Sequence, residues 1–482
     1  VNYGIVIRVL GILLLIESVL MVPSLLISVY SNGPDTRGFL IGIAVSLVIG
    51  FFLTRFKSDN KQISVRDGLS IVTLGWLMIS LIGAIPLYYS NITKNFTDAF
   101  FESISGFTAT GASVLLDVES LPLGVMFWRS FSHWIGGMGI LVFTIALLPA
   151  LGIGGFQIFK AESPGPVKGK IAPRIKDTAI ILYITYFSLT CLNVIFLLLG
   201  GMSLFESILY AFSTVGTGGF ATRNNSIGYY DSTYIRLVIS VFMILAGINF
   251  SLYYSIFKGK LRDFFKDGEL RLYLGLLVFG TIAVALNLYV SNFGDLKTAF
   301  KDSFFHVSSM LSTTGYTTLD FEKWPSFSRG ILIIFMLIGG SAGSTANGLK
   351  VSRILIMFKV IRRGIIKIFH PRAMVPIKHS GRIVTNETIA SIYSYISLFI
   401  VIFILSTLLI SLEGLDLSMS ASLVLATLGN IGIGKGFAGF TSEFAGLAQS
   451  TKLLLSMLML LGRLELFTVI ALFVPKNWRG EL

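Results

Sequence analysis

Four short segments of this chain share one chemistry: a glycine flanked by small hydroxyl, amide or apolar residues. They read Thr108-Ala109-Thr110-Gly111-Ala112-Ser113, Thr217-Gly218-Gly219-Phe220-Ala221-Thr222, Thr313-Thr314-Gly315-Tyr316-Thr317-Thr318 and Asn430-Ile431-Gly432-Ile433-Gly434. Such segments let backbone carbonyls crowd together and replace the hydration shell of an alkali cation. With Gly111, Gly219, Gly315 and Gly432 as equivalents, the steps between them are 108, 96 and 117 residues. That spacing predicts four internal repeats around one cation path. In the second segment Thr214-Val215-Gly216-Thr217-Gly218 offers a rival register. Gly219 is preferred because Gly219-Phe220-Ala221-Thr222 resembles Gly315-Tyr316-Thr317-Thr318. The residues expected to line the path are Thr110, Gly111, Ala112, Gly218, Gly219, Phe220, Thr314, Gly315, Tyr316, Asn430, Ile431 and Gly432.

A second run, Gly339-Gly340-Ser341-Ala342-Gly343-Ser344-Thr345-Ala346-Asn347-Gly348, is too small and polar for a lipid-facing helix. Irregular backbone at membrane depth is tolerated where it lines a cavity or lies within protein, so a broken helix and a pore loop are expected. The bland alternative is a close helix–helix contact. A phosphate loop is excluded, since Lys350 does not follow Gly348 directly and no strand precedes the run. Arg463, inside an apolar span, is costly there and marks a functional position; its bland reading is a local pair with Glu465. Gly339 lies 11 residues below Ser328 and Arg463 lies 12 below Thr451, about 16 and 18 Å at 1.5 Å per residue. Gly340, Ser341, Ala342, Gly343, Ser344, Thr345 and Arg463 are therefore expected to form a gate at mid-membrane. Glu17 reads as structural, and Arg129 and His133 as interface anchors. With four histidines and one cysteine, Cys191, neither a catalytic or resident-metal cluster nor a disulfide framework is expected. No organic cofactor is expected; the only ion is an alkali cation, as cargo.

These residues need a membrane scaffold. The chain is 54% hydrophobic and 13% charged, with a mean hydropathy of +0.80, which excludes a soluble globular protein. Its net charge of +13 is arranged as a topology signal and argues against a nucleic-acid partner. Basic residues collect in alternate connections: Arg55 to Arg66, Lys160 to Lys176, Lys258 to Arg271 and Lys350 to Arg382. With Arg8, Lys476 and Arg479 that side holds 26 Lys/Arg against 11 opposite, predicting cytoplasmic termini. Residues 350–382 carry nine Lys/Arg and no acid, a surface suited to anionic membrane lipid or a partner.

The chain parses as an N-terminal hairpin (5–30 and 37–56) followed by four rounds of helix, half-helix, glycine segment and helix. The first run shows no cleavage site and is long enough to remain as a span. The full spans are 69–89, 125–150, 178–200, 233–257, 270–292, 328–361, 384–411 and 450–474; the half-helices are 97–107, 203–215, 298–311 and 417–428. The latter are too short to cross a core that needs about 20 residues and must re-enter from one side. Domain boundaries fall at 1–62, 63–160, 161–262, 263–375 and 376–482. Phe100 and Phe304 each precede their glycine by 11 residues, which supports the repeat. A strong break is expected only in the third round.

Four phrases, His133-Trp134-Ile135-Gly136-Gly137-Met138-Gly139, Gly340-Ser341-Ala342-Gly343-Ser344-Thr345-Ala346, Leu428-Gly429-Asn430-Ile431-Gly432 and Gly462-Arg463-Leu464-Glu465, carry a resemblance. The chain is similar to the bacterial TrkH/TrkG and KtrB potassium-uptake family, in the superfamily of fungal Trk and plant HKT transporters. The extra N-terminal hairpin favours the TrkH branch. The resemblance implies an all-α membrane protein that conducts K⁺ inward across a bacterial or archaeal plasma membrane, without covalent chemistry. It further implies a homodimer with one pore per subunit and a cytosolic, nucleotide-binding, TrkA-like regulatory subunit. Some plant relatives carry Ser at the first glycine position and pass Na⁺; Gly111 favours K⁺. The alternatives are a Na⁺-permeable member of the superfamily, a secondary transporter of another small solute with inverted repeats, or a membrane enzyme, which lacks a catalytic constellation here.

Overall fold

In the computed structural model of the chain, the described residues are 2–56, 63–139, 175–257, 259, 261–379, 382–432, 443–470 and 472. They are almost entirely helical, with one antiparallel pair of two-residue strands, Lys378–His379 and Arg382–Ile383. Six helices among the described residues are long and apolar enough to cross a membrane: Tyr3–Tyr30, Thr36–Thr54, Val65–Tyr89, Ile180–Leu199 within Ile175–Leu199, Gly268–Val290 and Asn386–Ser411.

The first two helices form the N-terminal hairpin. Its turn is fastened to the rest of the molecule by Asp35, a fully buried carboxylate. Asp35 accepts from the Ser28 hydroxyl at 2.5 Å and from the Val125 N–H at 3.0 Å. The helix Leu123–Gly137 has Pro122 at its N-cap and no local side-chain cap, so Asp35 satisfies one of its open donors from 90 residues away.

After the hairpin the element order repeats four times: a long outer helix, a short helix, an extended glycine segment and an inner helix. The short helices are Phe96–Phe107, Leu204–Val215, Leu296–Leu311 and Leu417–Leu428. Three begin at a side-chain cap: Asn95 to the Asp98 N–H, Ser203 to the Glu206 N–H, and Asp416 to the Ser418 N–H. At 12 to 16 residues, they reach only about 18–24 Å at 1.5 Å per residue, short of a full crossing.

The inner helices differ from the expectation of a single strong break. The second runs Thr233–Ala246 and resumes as Phe250–Phe257, bent by 95°. Tyr273 packs where a side chain on Gly247 would lie, and the Ser341 N–H takes the Gly247 carbonyl, so the helix cannot continue straight there. The third runs Ser326–Ile338, then a loop, then Val351–Phe369. The fourth stops at Arg463 and resumes as Leu466–Ile470 after Glu465, which is left-handed with φ 56°. In the first quarter the helix closes at Gly137; residues 140–150 of its expected span lie outside the described residues.

Candidate functional site

Each short helix ends in the same turn. Thr110, Gly218, Thr314 and Ile431 donate their backbone N–H five residues back, to Ser105, Ser213, Ser309 and Ala426, at 2.8 to 2.9 Å. The residue before each donor is left-handed: Ala109 (φ 53°), Thr217 (φ 54°), Thr313 (φ 58°) and Asn430 (φ 50°). This is the Schellman closure of a helix, ordinarily built on glycine at the left-handed position. Here four non-glycine residues occupy it, at roughly 1–2 kcal/mol each. Two residues beyond stand Gly111, Gly219, Gly315 and Gly432, so these turns put Gly219, rather than Gly218, in register with the others. Gly111, Gly219 and Gly315 have φ of 81°, 80° and 82°; Gly432 is not left-handed.

The four segments meet in a ring. A Cβ on Gly111 would overlap the Gly218 carbonyl, one on Gly219 the Thr314 carbonyl, and one on Gly315 the Gly432 carbonyl; one on Gly432 would overlap the Thr110 carbonyl and the Gly111 backbone. The contacts therefore run from first to second to third to fourth and back to the first. The Asn430 amide completes the circuit, donating to the Thr110 hydroxyl at 2.8 Å and to the Met459 carbonyl at 2.8 Å. Ala112, Phe220, Tyr316 and Ile431 are buried behind this ring. Ile433 and Gly434 lie outside the described residues.

The ring is braced from behind. Glu102, on the first short helix, accepts from the Ser113 hydroxyl at 3.0 Å and the Val114 N–H at 3.1 Å, and pairs with Arg129 at 2.7 Å. The Arg129 guanidinium lies over the Phe220 ring, 4.1 Å from its centroid. Arg129 is thus a buried brace, not the interface anchor expected from the sequence. His133, also expected at an interface, is buried and stacked on Phe220. In the third quarter the Ser309 hydroxyl holds the Tyr316 carbonyl at 2.7 Å. Above the ring the loops are laced together: the Asn224 amide donates to Asp117 at 2.8 Å, and the Gly228 N–H donates to the Thr317 carbonyl at 3.2 Å. The Asn224 amide, followed by the Glu119 N–H, holds the exposed Asp117 carboxyl below the usual carboxylate range.

Beneath the ring sits the loop between the halves of the third inner helix. Its base is a hairpin: the Leu349 N–H donates to Leu337 at 3.0 Å, Lys350 to Ile338 at 2.9 Å and Val351 to Gly340 at 3.0 Å. Gly339 and Gly348 let the two arms touch, since a Cβ on either would collide with the other arm. The Thr345 hydroxyl contacts the Val215 carbonyl at 3.0 Å and the Ala246 carbonyl at 3.1 Å. Lys350 donates its ammonium to the Ala346 carbonyl.

Arg463 reaches the same loop. Its guanidinium donates to the Thr345 carbonyl at 3.2 Å and the Asn347 Oδ1 at 2.8 Å, and on its other side to the Gly137 carbonyl at 2.7 Å and to Gly136. Glu465 pairs with Arg353 at 2.7 Å, a partner other than the Arg463 weighed from the sequence. Gly340, Ser341, Ala342 and Thr345 are buried, and Gly343 and Ser344 are partly exposed. Glu17 is fully buried, its carboxyl group next to Gly83 of the helix Val65–Tyr89. The residues that sequence reasoning passed over are Glu102, Ser113 and Glu269.

A family model for TrkH, described as a cation transport protein, matches residues 36–480. The chain belongs to the TrkH family. It is 38% identical over 482 residues to the Trk system potassium uptake protein TrkH of Salmonella typhimurium, covering 98% of both chains. It is 37% identical over 480 residues to the protein of that name from Escherichia coli K12, again at 98% of each. The crystal structure of the potassium transporter TrkH from Vibrio parahaemolyticus superposes with a TM-score of 0.89 at 33% identity, over 99% of this chain and all of that one. Family membership makes this an all-helical, multi-pass membrane transport protein rather than an enzyme.

Proposed function

We infer that the chain takes up K⁺ across the cell membrane through a channel-like pore at the glycine ring, gated by the loop 339–350 and by a cytosolic subunit. The observation that carries this reading is the closed circuit of glycine-to-carbonyl contacts among four segments spread over more than 300 residues of sequence. A ring of carbonyls with no side chain between them offers a cation a replacement for its water. The C-terminal ends of four short helices point at it, and each carries partial negative charge. The relatives are named potassium uptake proteins, which supports K⁺ as the cargo.

Below the ring, the loop and the Arg463 guanidinium stand where an ion must pass. The loop obstructs the path, and the guanidinium repels a cation while holding the Thr345 carbonyl. Opening requires the loop to leave these partners. In this reading each quarter of the chain (63–160, 161–262, 263–375 and 376–482) contributes one wall of a pseudo-fourfold pore, and residues 1–62 buttress it. Two copies associate, each with its own pore; both termini face the cytoplasm. The word system in the relatives' names fits a further subunit, a nucleotide-binding ring docked on the basic cytoplasmic face that includes 350–382.

The test is ion flux into proteoliposomes that contain the purified chain. K⁺ or Rb⁺ should enter down its gradient, and a neutral solute of similar size should not. Uptake of the neutral solute at a comparable rate would replace this reading by a solute transporter. Deleting 341–347, or replacing Arg463 by Ala, should raise K⁺ flux without any partner; a fall in flux with normal expression would remove the loop's role as a barrier.

A further inference from the structure

The loop 339–350 has left the helical ladder, so its backbone N–H groups need acceptors from elsewhere. Most find neutral ones: Ser341 N–H takes the Gly247 carbonyl at 3.0 Å, and Asn347 N–H takes the Thr313 hydroxyl at 2.8 Å. Ala342 is different. Its N–H donates to the carboxylate of Glu269 at 2.6 Å. Glu269 is 4% exposed and stands in the first turn of the outer helix Gly268–Val290, whose N-cap is Asp267. The Asp267 carboxylate itself accepts the Glu269 and Leu270 N–H groups at 2.9 Å each, which fixes the backbone from which Glu269 reaches the loop.

Among the described residues, Arg463 and Glu269 reach the loop backbone from other helices, while Arg353 of the following helix donates to the Leu349 carbonyl at 3.1 Å. Arg463, from the fourth quarter, holds the Thr345 carbonyl and the Asn347 side chain and also bonds the Gly136 and Gly137 carbonyls of the first quarter. Glu269 holds an amide, Ala342 N, from the third quarter. The guanidinium's bond to a carbonyl is charge-assisted, and the Glu269 oxygen takes an N–H that would otherwise be buried without an acceptor. They act on residues only three positions apart, so the loop is held at two neighbouring points by side chains from two different helices.

We propose that Glu269 is a positioning residue for transport: it holds the intramembrane loop closed from the outer helix of the third quarter, as Arg463 does from the fourth, and release of Ala342 from its carboxyl group is part of opening. This rests on the reading of the loop as the barrier. Losing a hydrogen bond to a charged group shifts an equilibrium on the order of tenfold, so Glu269→Ala should raise partner-free Rb⁺ flux by about that factor. Glu269→Gln keeps the length and an acceptor oxygen and should raise flux less. Preference for K⁺ over Na⁺ should be unchanged, because the glycine ring is untouched.

The experiment measures Rb⁺ influx into proteoliposomes for wild type, Glu269→Ala, Glu269→Gln and Arg463→Ala, each as the full chain without a partner. A second readout is the rate at which a thiol-specific reagent labels Ser344→Cys from the cytoplasmic side, in each background. A purely structural role would lower expression and flux together and would not open the loop to label. Faster labelling with higher flux in Glu269→Ala, and intermediate values in Glu269→Gln, is the expected result. If Arg463→Ala raises flux while Glu269→Ala leaves both flux and labelling at wild-type values, Glu269 is no latch and the barrier reading stands. If neither variant raises flux, the barrier reading falls first. Should Glu269→Ala not reach the membrane, Glu269→Gln decides, and wild-type labelling in it overturns the proposal.

Discussion

The backbone N–H of Asn347 donates to the hydroxyl of Thr313 at 2.8 Å, tying the intramembrane loop to the turn from which the third glycine segment starts. Thr313 is one of the four left-handed residues that close the short helices. The loop is therefore bonded to the ring as well as lying under it. Thr313→Ala removes the acceptor and leaves the Asn347 N–H unsatisfied, at about 1–3 kcal/mol for the closed loop. Partner-free Rb⁺ flux should rise severalfold in this variant, and an unchanged flux would show that the bond does not hold the loop.

Gly111, Gly219 and Gly315 combine a left-handed backbone with a carbonyl where a side chain would stand. Serine at Gly111 or Gly315 forces the neighbouring carbonyl out of line. The K⁺-to-Na⁺ flux ratio should fall by roughly tenfold, equal to about 1.4 kcal/mol of discrimination, with the protein still inserted. Flux ratios at the wild-type value in Gly→Ser variants of all four ring glycines would sink the assignment of the ring as the selective element.

Glu102 and Arg129 form an ion pair with side chains 0% and 4% exposed. Removing one partner strands the other charge, which costs about 3–5 kcal/mol. Arg129→Met alone should lower the melting temperature of the detergent-purified protein sharply. Arg129→Met combined with Glu102→Gln should recover part of the loss, and a double-mutant cycle measures the coupling. Additive losses would mean that the two side chains do not support each other.

The helix Val351–Phe369 carries exposed Arg362 and Lys367 and the partly exposed Arg363 on its C-terminal half, whereas Lys359 donates to the Lys378 carbonyl at 2.7 Å. Lys359 thus serves the local fold, and the other three are the better test of docking. Neutralising Arg362, Arg363 and Lys367 together should reduce copurification of a regulatory subunit and leave basal flux unchanged. Full copurification would assign these charges to topology.

Much of the architecture was legible because membrane helices announce themselves by composition. The four short helices fall within two residues of their expected ends, since each follows an Asn, Ser or Asp and runs into a glycine segment. The loop and Arg463 were also visible, one as a run of small residues and the other as a charge among leucines. The breaks at Gly247 and Glu465 were not. A single glycine, or a glutamate beside an arginine, reads as an ordinary helix position until Tyr273 and Arg353 are seen to occupy the adjoining space. Glu102 and Glu269 escaped for a related reason. Their partners lie 27 and 73 residues away, and no local period connects them.

The hydrogen bond between Asn430 and Thr110 joins residues 320 positions apart. Its two ends leave the ribosome far apart in time. The circuit of glycine-to-carbonyl contacts therefore closes only once the last quarter of the chain has met the first, and a chain that stops short of Gly432 is left with an open ring.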